Sequence, residues 1–188
     1  GEVGTGLHFM TLLATDKFWP GHILGCDKAL APWLRNKGSL TQRIQQRCNR
    51  FAVRNVYSGL ARIALDESTL LGVASQSLAY SRDVFLYADN QPVVFAHSVC
   101  ATQSLRGAWA AVAGLGNQPL GALLFAHPLV ERQPLYYKAL RSNHSLHQRA
   151  TQVLDDLPPE LWARRSLFHL QNVPLLVTEV FLPGILRF

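Results

Sequence analysis

Arg82-Asp83-Val84-Phe85-Leu86-Tyr87-Ala88-Asp89-Asn90-Gln91-Pro92-Val93-Val94-Phe95-Ala96-His97-Ser98 is the stretch whose reading decides the fold class. Arg82 to Ala88 predicts a strand rich in β-branched and aromatic residues. Asp89-Asn90-Gln91-Pro92 supplies turn chemistry, and Val93 to Ser98 predicts a strand returning beside the first, an antiparallel hairpin. Downstream, Arg165 to Leu170 and Leu175 to Leu182 predict a second pair of strands around a turn at Gln171-Asn172. Upstream, Phe51, Val53, Asn55 and Tyr57 alternate with Ala52, Arg54 and Val56, which predicts a strand broken at Ser58-Gly59 and resumed through Leu60 to Leu65.

Helical signals fall between these strands. Ala31 to Lys37 carries Pro32 in its first turn, and Gly38 stops it. Ser39 opens another helix with Gln42 at capping-box spacing. Leu105 to Leu115 predicts a helix closed by Gly114 and Gly116, and Pro119 is expected at the first helical position of a short helix through Phe125. The polar stretch from His127 to Pro159 predicts a connector with some helix between Arg149 and Leu154. Residues 1–30 are irregular and predict an N-terminal extension; residues 31–188 then form the domain. Strands joined by hairpins with helices inserted between them imply a single α+β domain around an antiparallel sheet.

Composition agrees with one folded domain: 188 residues, 48% hydrophobic and 16% charged. The net charge is +6, and 14 of the 18 basic residues are Arg, which favours planar recognition of carboxylate or phosphate. The basic residues are scattered and no stacking motif accompanies them, so a nucleic-acid role has no support beyond charge. Cys26, Cys48 and Cys100 lie far apart without a CxxC, which predicts free thiols in a reducing cytosol rather than a disulfide framework. No apolar run approaches membrane-spanning length. Leu7 to Ala14 lacks a basic leader and a cleavage pattern, so no signal peptide is expected, and the start at Gly1 is expected to be either processed or artificially added. His144 and His147 have i,i+3 spacing without an acidic or thiol partner at metal-site spacing, and His97 with Cys100 is only a pair at an expected strand end, so no metal is expected. GxSxG, P-loop and GxGxxG motifs are absent.

Two ionisable residues stand out. Glu179 shares a strand face with Leu175, Val177 and Phe181, where an unpartnered carboxylate is costly. It is either a structural ion-pair member or a functional acid. Arg82 begins a strand whose same face bears Val84 and Leu86. Together they offer opposite charges on one sheet, suited to a small ligand with a carboxylate at one end and a hydroxyl at the other. The helix starts at Ser39-Leu40-Thr41 and Pro119-Leu120-Gly121 add backbone N–H groups with anion-binding capacity, although every helix has such an end.

Several of these segments resemble one family. Pro119-Leu120-Gly121 with Leu124-Phe125 is similar to the PLGxxLF segment of bacterial chorismate pyruvate-lyases, and Leu161-Trp162-Ala163-Arg164-Arg165-Ser166 to their LWxRRS segment. Pro174 to Pro183 resembles their C-terminal strand. Ser81-Arg82-Asp83-Val84 with Tyr87-Ala88-Asp89 resembles their REV/REI hairpin, with Asp83 where Glu is usual, and Gly38-Ser39-Leu40-Thr41 resembles their DSMT-like turn. The resemblance covers about Trp33 to Phe188. It implies an antiparallel sheet with helical flaps over a buried site. The implied activity is conversion of chorismate to 4-hydroxybenzoate and pyruvate for ubiquinone biosynthesis, by a monomer without metal or organic cofactor. Position by position, it implies that Arg82 pairs with the ring carboxylate, that the backbone N–H groups of Leu40 and Leu120 bind the same carboxylate, and that Glu179 meets the ring 4-oxygen. Arg54, Arg164 and Arg165 are all open as holders of the second carboxylate. The rival expectation is a non-catalytic effector-binding domain of the same fold.

Overall fold

The computed structural model describes residues 15–188; Leu7 to Ala14 lie outside the described residues. Seven strands form one antiparallel sheet: β1 (Phe51–Arg62), β2 (Leu78–Ala88), β3 (Gln91–Cys100), β4 (Glu131–Arg132), β5 (Tyr136–Arg141), β6 (Glu160–Leu170) and β7 (Val173–Phe181). The spatial order is β1-β2-β3-β7-β6, with β4 and β5 both pairing with the outer side of β6. The helices are α1 (Ala31–Arg35), α2 (Leu40–Gln45), α3 (Leu65–Leu71), α4 (Leu120–Ala126) and α5 (Ser145–Ala150). This is the expected α+β class.

The central hairpins turn on two residues each. Asp89 and Asn90 have φ of 48° and 66°, and Gln171 and Asn172 have 53° and 60°. Positive φ at both centres is the twist-matched hairpin geometry, so β3 starts at Gln91, earlier than expected. β1 is continuous through Ser58-Gly59; a register shift between Asn55 and Tyr57 absorbs the irregularity. It ends at Arg62, and Leu65, expected as its last residue, instead opens α3, with Asp66 and Glu67 in the first turn and Gly72 in left-handed conformation closing it. The helix expected over Leu105 to Leu115 is instead two 3-10 turns, Thr102–Arg106 and Ala110–Gly114, separated at Gly107. In the expected connector, Tyr137 and Leu140 pin β5 to β6, and α5 comes earlier than expected.

The sheet is covered on both faces. One face packs with α1, α2 and α4 through Trp33, Leu34, Ile44, Phe181, Trp109, Leu120 and Phe168. The other packs Phe85, Phe95 and Val180 against α5 and Trp19. Residues 15–30 of the expected extension are fastened there: Trp19 is buried, and the Asp16 carboxylate takes two hydrogen bonds from Arg165, at 2.6 and 2.8 Å.

That second face also buries His97, whose Nδ1 lies 2.5 Å from Asp83 and whose Nε2 lies 3.0 Å from Glu67. Arg149 NH1 reaches the other Asp83 oxygen at 3.2 Å. Only an imidazolium donates from both nitrogens. Burial opposes the charge, but Glu67 and the hydrogen bonds to both carboxylates outweigh it and raise the His97 pKa from 6.5 to about 9. Because the folded value lies above the unfolded one, this stabilisation is complete below about pH 6.5 and is lost as pH rises towards 9. The loss should be on the order of 3 kcal/mol. Urea unfolding at pH 6 and pH 9.5 should show it, and a His97→Gln protein should be less stable at pH 6 and lack the decline. A pH-independent midpoint in the parent protein would show that His97 is neutral there.

Candidate active site

Four strands of the first face build the floor in two rungs. Arg82, Ser98, Val177 and Ser166 pair across β2, β3, β7 and β6, and Val84, Ala96, Glu179 and Arg164 pair in the next rung. Cross-strand partners share a face, so Arg82 and Glu179 point the same way, with Cα atoms about 12 Å apart by strand geometry. Helices α2 and α4 form the roof, placing Leu40, Thr41, Pro119, Leu120, Gly121, Leu124 and Phe125 against the same cavity.

The roof is fixed by polar ties. Ser39 Oγ accepts from the Gln42 N–H at 3.2 Å and caps α2. Pro119 is the N-cap of α4 rather than its first helical residue, and no side chain caps that end. The first N–H groups of both helices have no intrahelical acceptor. Arg82 NH2 donates to the carbonyls of Gly116 and Gln118, at 3.0 and 2.7 Å, which holds the segment entering α4. Asn55 adds a bond from its N–H to Asn117 Oδ1 at 3.0 Å. At the crossing of the two helices, a Cβ on Gly121 would stand 2.7 Å from Thr41 Oγ1, so this close approach requires glycine.

Arg82 is buried at 2% exposure, its Nε has no partner among the described residues, and burial lowers its pKa. Among the described residues no carboxylate pairs with this guanidinium. Glu179 does not pair with Arg82. Its Oε1 accepts from Arg164 Nε at 3.1 Å and stands 3.9 Å from Arg132 NH2. Arg164 is fully buried and also donates from NH1 to the carbonyls of Trp33, Leu34 and Asn36, which fastens the end of α1 to the site.

The adjacent arginines Arg164 and Arg165 lie mid-strand in β6 with their side chains on opposite faces. Arg165 points away from the cavity to Asp16 and Asp66. Arg54 stacks on Tyr87, 4.7 Å from its centroid, and is not part of the lining. Of the three arginines considered for a second carboxylate, only Arg164 lines the cavity. Arg132, in the stretch read as a connector, lines it as well; the surplus of Arg over Lys was the only signal that pointed to it. The residues weighed for metal spacing have other work: His144 accepts from the Leu146 N–H and caps α5, His147 Nε2 meets the Pro158 carbonyl, and burial raises Cys100 to about 11.

The chorismate lyase family model matches residues 20–187. A protein of Nitrosospira multiformis named probable chorismate pyruvate-lyase is 51% identical over 82% of this chain and 87% of its own. One of the same name from Nitrosomonas europaea is 48% identical over the same shares. Among solved structures, PhnF from Mycobacterium smegmatis superposes with a TM-score of 0.58 at 14% identity, over 80% of this chain and 66% of that one. The ligand-binding domain of a GntR-family regulator from Bordetella bronchiseptica superposes with a TM-score of 0.52 at 13% identity, over 72% of this chain and 86% of that one. These two likenesses show the fold. The match across nearly the whole chain, with relatives near half identity, shows that the chain belongs to the chorismate lyase family.

Proposed function

We propose that this protein is a chorismate pyruvate-lyase, converting chorismate to 4-hydroxybenzoate and pyruvate at the head of ubiquinone biosynthesis. The observation that carries the reading is the charge of the cavity. Its ionisable lining is Arg82, Arg132, Arg164 and Glu179, an excess of two positive charges in a largely apolar enclosure. Chorismate is a dianion of complementary charge, and a dry site makes such pairing strong.

Arg82 meets the ring carboxylate through its guanidinium, together with the Leu40 and Leu120 backbone N–H groups. Glu179 lies at the far end and accepts from the ring 4-hydroxyl. The ether C–O bond breaks, its electron pair leaves with the enolpyruvyl oxygen, and the C4 hydrogen is lost as the ring becomes aromatic. That hydrogen ends on the methylene carbon of pyruvate, whether passed directly or through an acid and a base. Aromatisation drives the step, so the protein's contribution is to hold one conformer and to stabilise charge as the bond breaks. The atoms balance without an external oxidant or reductant. The reading includes a cofactor-free monomer in a reducing cytosol.

Saturable 1:1 binding of 4-hydroxybenzoate by calorimetry, with competition by chorismate, is expected. Binding of neither compound would overturn the reading. Gly121→Ala should weaken 4-hydroxybenzoate binding by about 1–2 kcal/mol, because the new methyl group forces α4 away from α2. Thr41→Ala in the same protein should recover part of that loss by removing Oγ1. A Gly121→Ala protein with unchanged affinity would show that the crossing is looser than the structure places it.

A further inference from the structure

We propose that Arg132 holds the second, ether-linked carboxylate of the substrate, which fixes the leaving group; this rests on the lyase reading above. The strand order separates the cavity's cations: Arg82 is on β2, whereas Arg164 is on β6, Glu179 on β7 and Arg132 on β4 beside β6. Arg82 stands alone at one end. At the other end are Arg132, Arg164 and Glu179, and the single acid offsets one of the two arginines. Arg164 meets Glu179 at hydrogen-bonding distance and is committed through NH1 to three carbonyls. Among the described residues Arg132 has no acid that close.

Arg132 is also placed by its neighbours. Its Nε donates to Ser166 Oγ at 3.2 Å, and NH1 donates to the carbonyls of Lys37 and Gly38 at 2.9 and 3.3 Å. Its Cζ lies 5.7 Å from the Phe125 centroid and 5.2 Å from that of Phe168. Among the described residues NH2 makes no hydrogen bond, and it stands 3.9 Å from Glu179 Oε1. The remaining edge of the fork is therefore aimed at the space beside the acid. In chorismate the ether is on the ring carbon next to the one bearing the hydroxyl. A ring with its hydroxyl on Glu179 puts the ether carboxylate beside that acid, where Arg132 waits. Burial lowers Arg132 to about 10, with Glu179 opposing and Arg164 adding to the shift, so this cation gains from an incoming anion.

A merely structural Arg132, clipping residues 37–38 under α2, would affect every ligand that uses the Leu40 N–H. A carboxylate-holding Arg132 discriminates between ligands. The probes are 3-(carboxymethoxy)-4-hydroxybenzoate, which keeps the ring carboxylate, the hydroxyl and an ether-linked carboxylate but cannot eliminate, and 3-methoxy-4-hydroxybenzoate, which lacks only the second charge. In Arg132→Gln the affinity for the dianion should fall about 10²-fold while that for the methoxy compound stays within about 3-fold. Arg132→Lys, which keeps the charge without the fork, should restore part of the preference and guards against a Gln variant that does not fold. With wild-type protein that consumes chorismate, equal losses for both probes, or no loss for either, would overturn the assignment to Arg132. A wild-type protein that binds neither probe and leaves chorismate intact would overturn the lyase reading itself.

Discussion

In an Arg82→Ala protein, affinity for 4-hydroxybenzoate and turnover of chorismate should fall together, by about 2–5 kcal/mol. Two losses combine. The ring carboxylate loses a charge-assisted donor in a buried site. The carbonyls of Gly116 and Gln118 also lose their donor, so the start of α4, which offers the Leu120 N–H to the same carboxylate, is no longer held. Lys at this position should recover little, since one ammonium cannot serve two carbonyls and a carboxylate in the planar geometry of the fork. Titration calorimetry with 4-hydroxybenzoate that shows unchanged affinity in Arg82→Ala would remove this residue from the site.

Glu179→Gln should slow the single-turnover conversion of chorismate by roughly 10²-fold or more, in the range of general acid–base and electrostatic effects. The substitution keeps the shape and one acceptor. It removes the negative charge that faces Arg164 and Arg132, so a fall in melting temperature is expected too, because two buried cations lose their shared counterion. The two effects separate on one preparation: the melt reports the ion pair, and the single-turnover rate of the folded fraction reports the chemistry. A lowered melting temperature with an unchanged rate would make Glu179 a structural counterion only.

The parts of the fold legible in the sequence were those with local signals. The hairpin at Asp89-Asn90 and the one at Gln171-Asn172 declare themselves through turn residues that tolerate positive φ. The Ser39 cap with Gln42 marked α2. What escaped was decided at long range. Strand β5 has no period-two pattern because its position depends on β6, to which Tyr137 and Leu140 are pinned. Helix α3 follows β1 after only two residues and lacks a side-chain N-cap, so its first residue was read as the strand's last.

Site residues divided the same way. Arg82 and Glu179 were visible because a charge on an apolar strand face needs a reason, and the structure supplies Glu179 with Arg164 as its partner rather than Arg82. Arg165 stays open in the sequence as a carboxylate holder because its acid partners, Asp16 and Asp66, lie 149 and 99 residues away. Arg132 carried no local mark: its contacts with Ser166 and with residues 37–38 exist only once β4 joins the sheet edge.

The most direct test of the account is a stoichiometry. Purified protein, treated with chelator and freed of it, is incubated with chorismate, and 4-hydroxybenzoate and pyruvate are quantified as chorismate disappears. The account predicts one of each per chorismate consumed, with no stimulation by added divalent ions. Tight binding of chorismate without its consumption would contradict the account and leave an effector-binding domain built on the same fold.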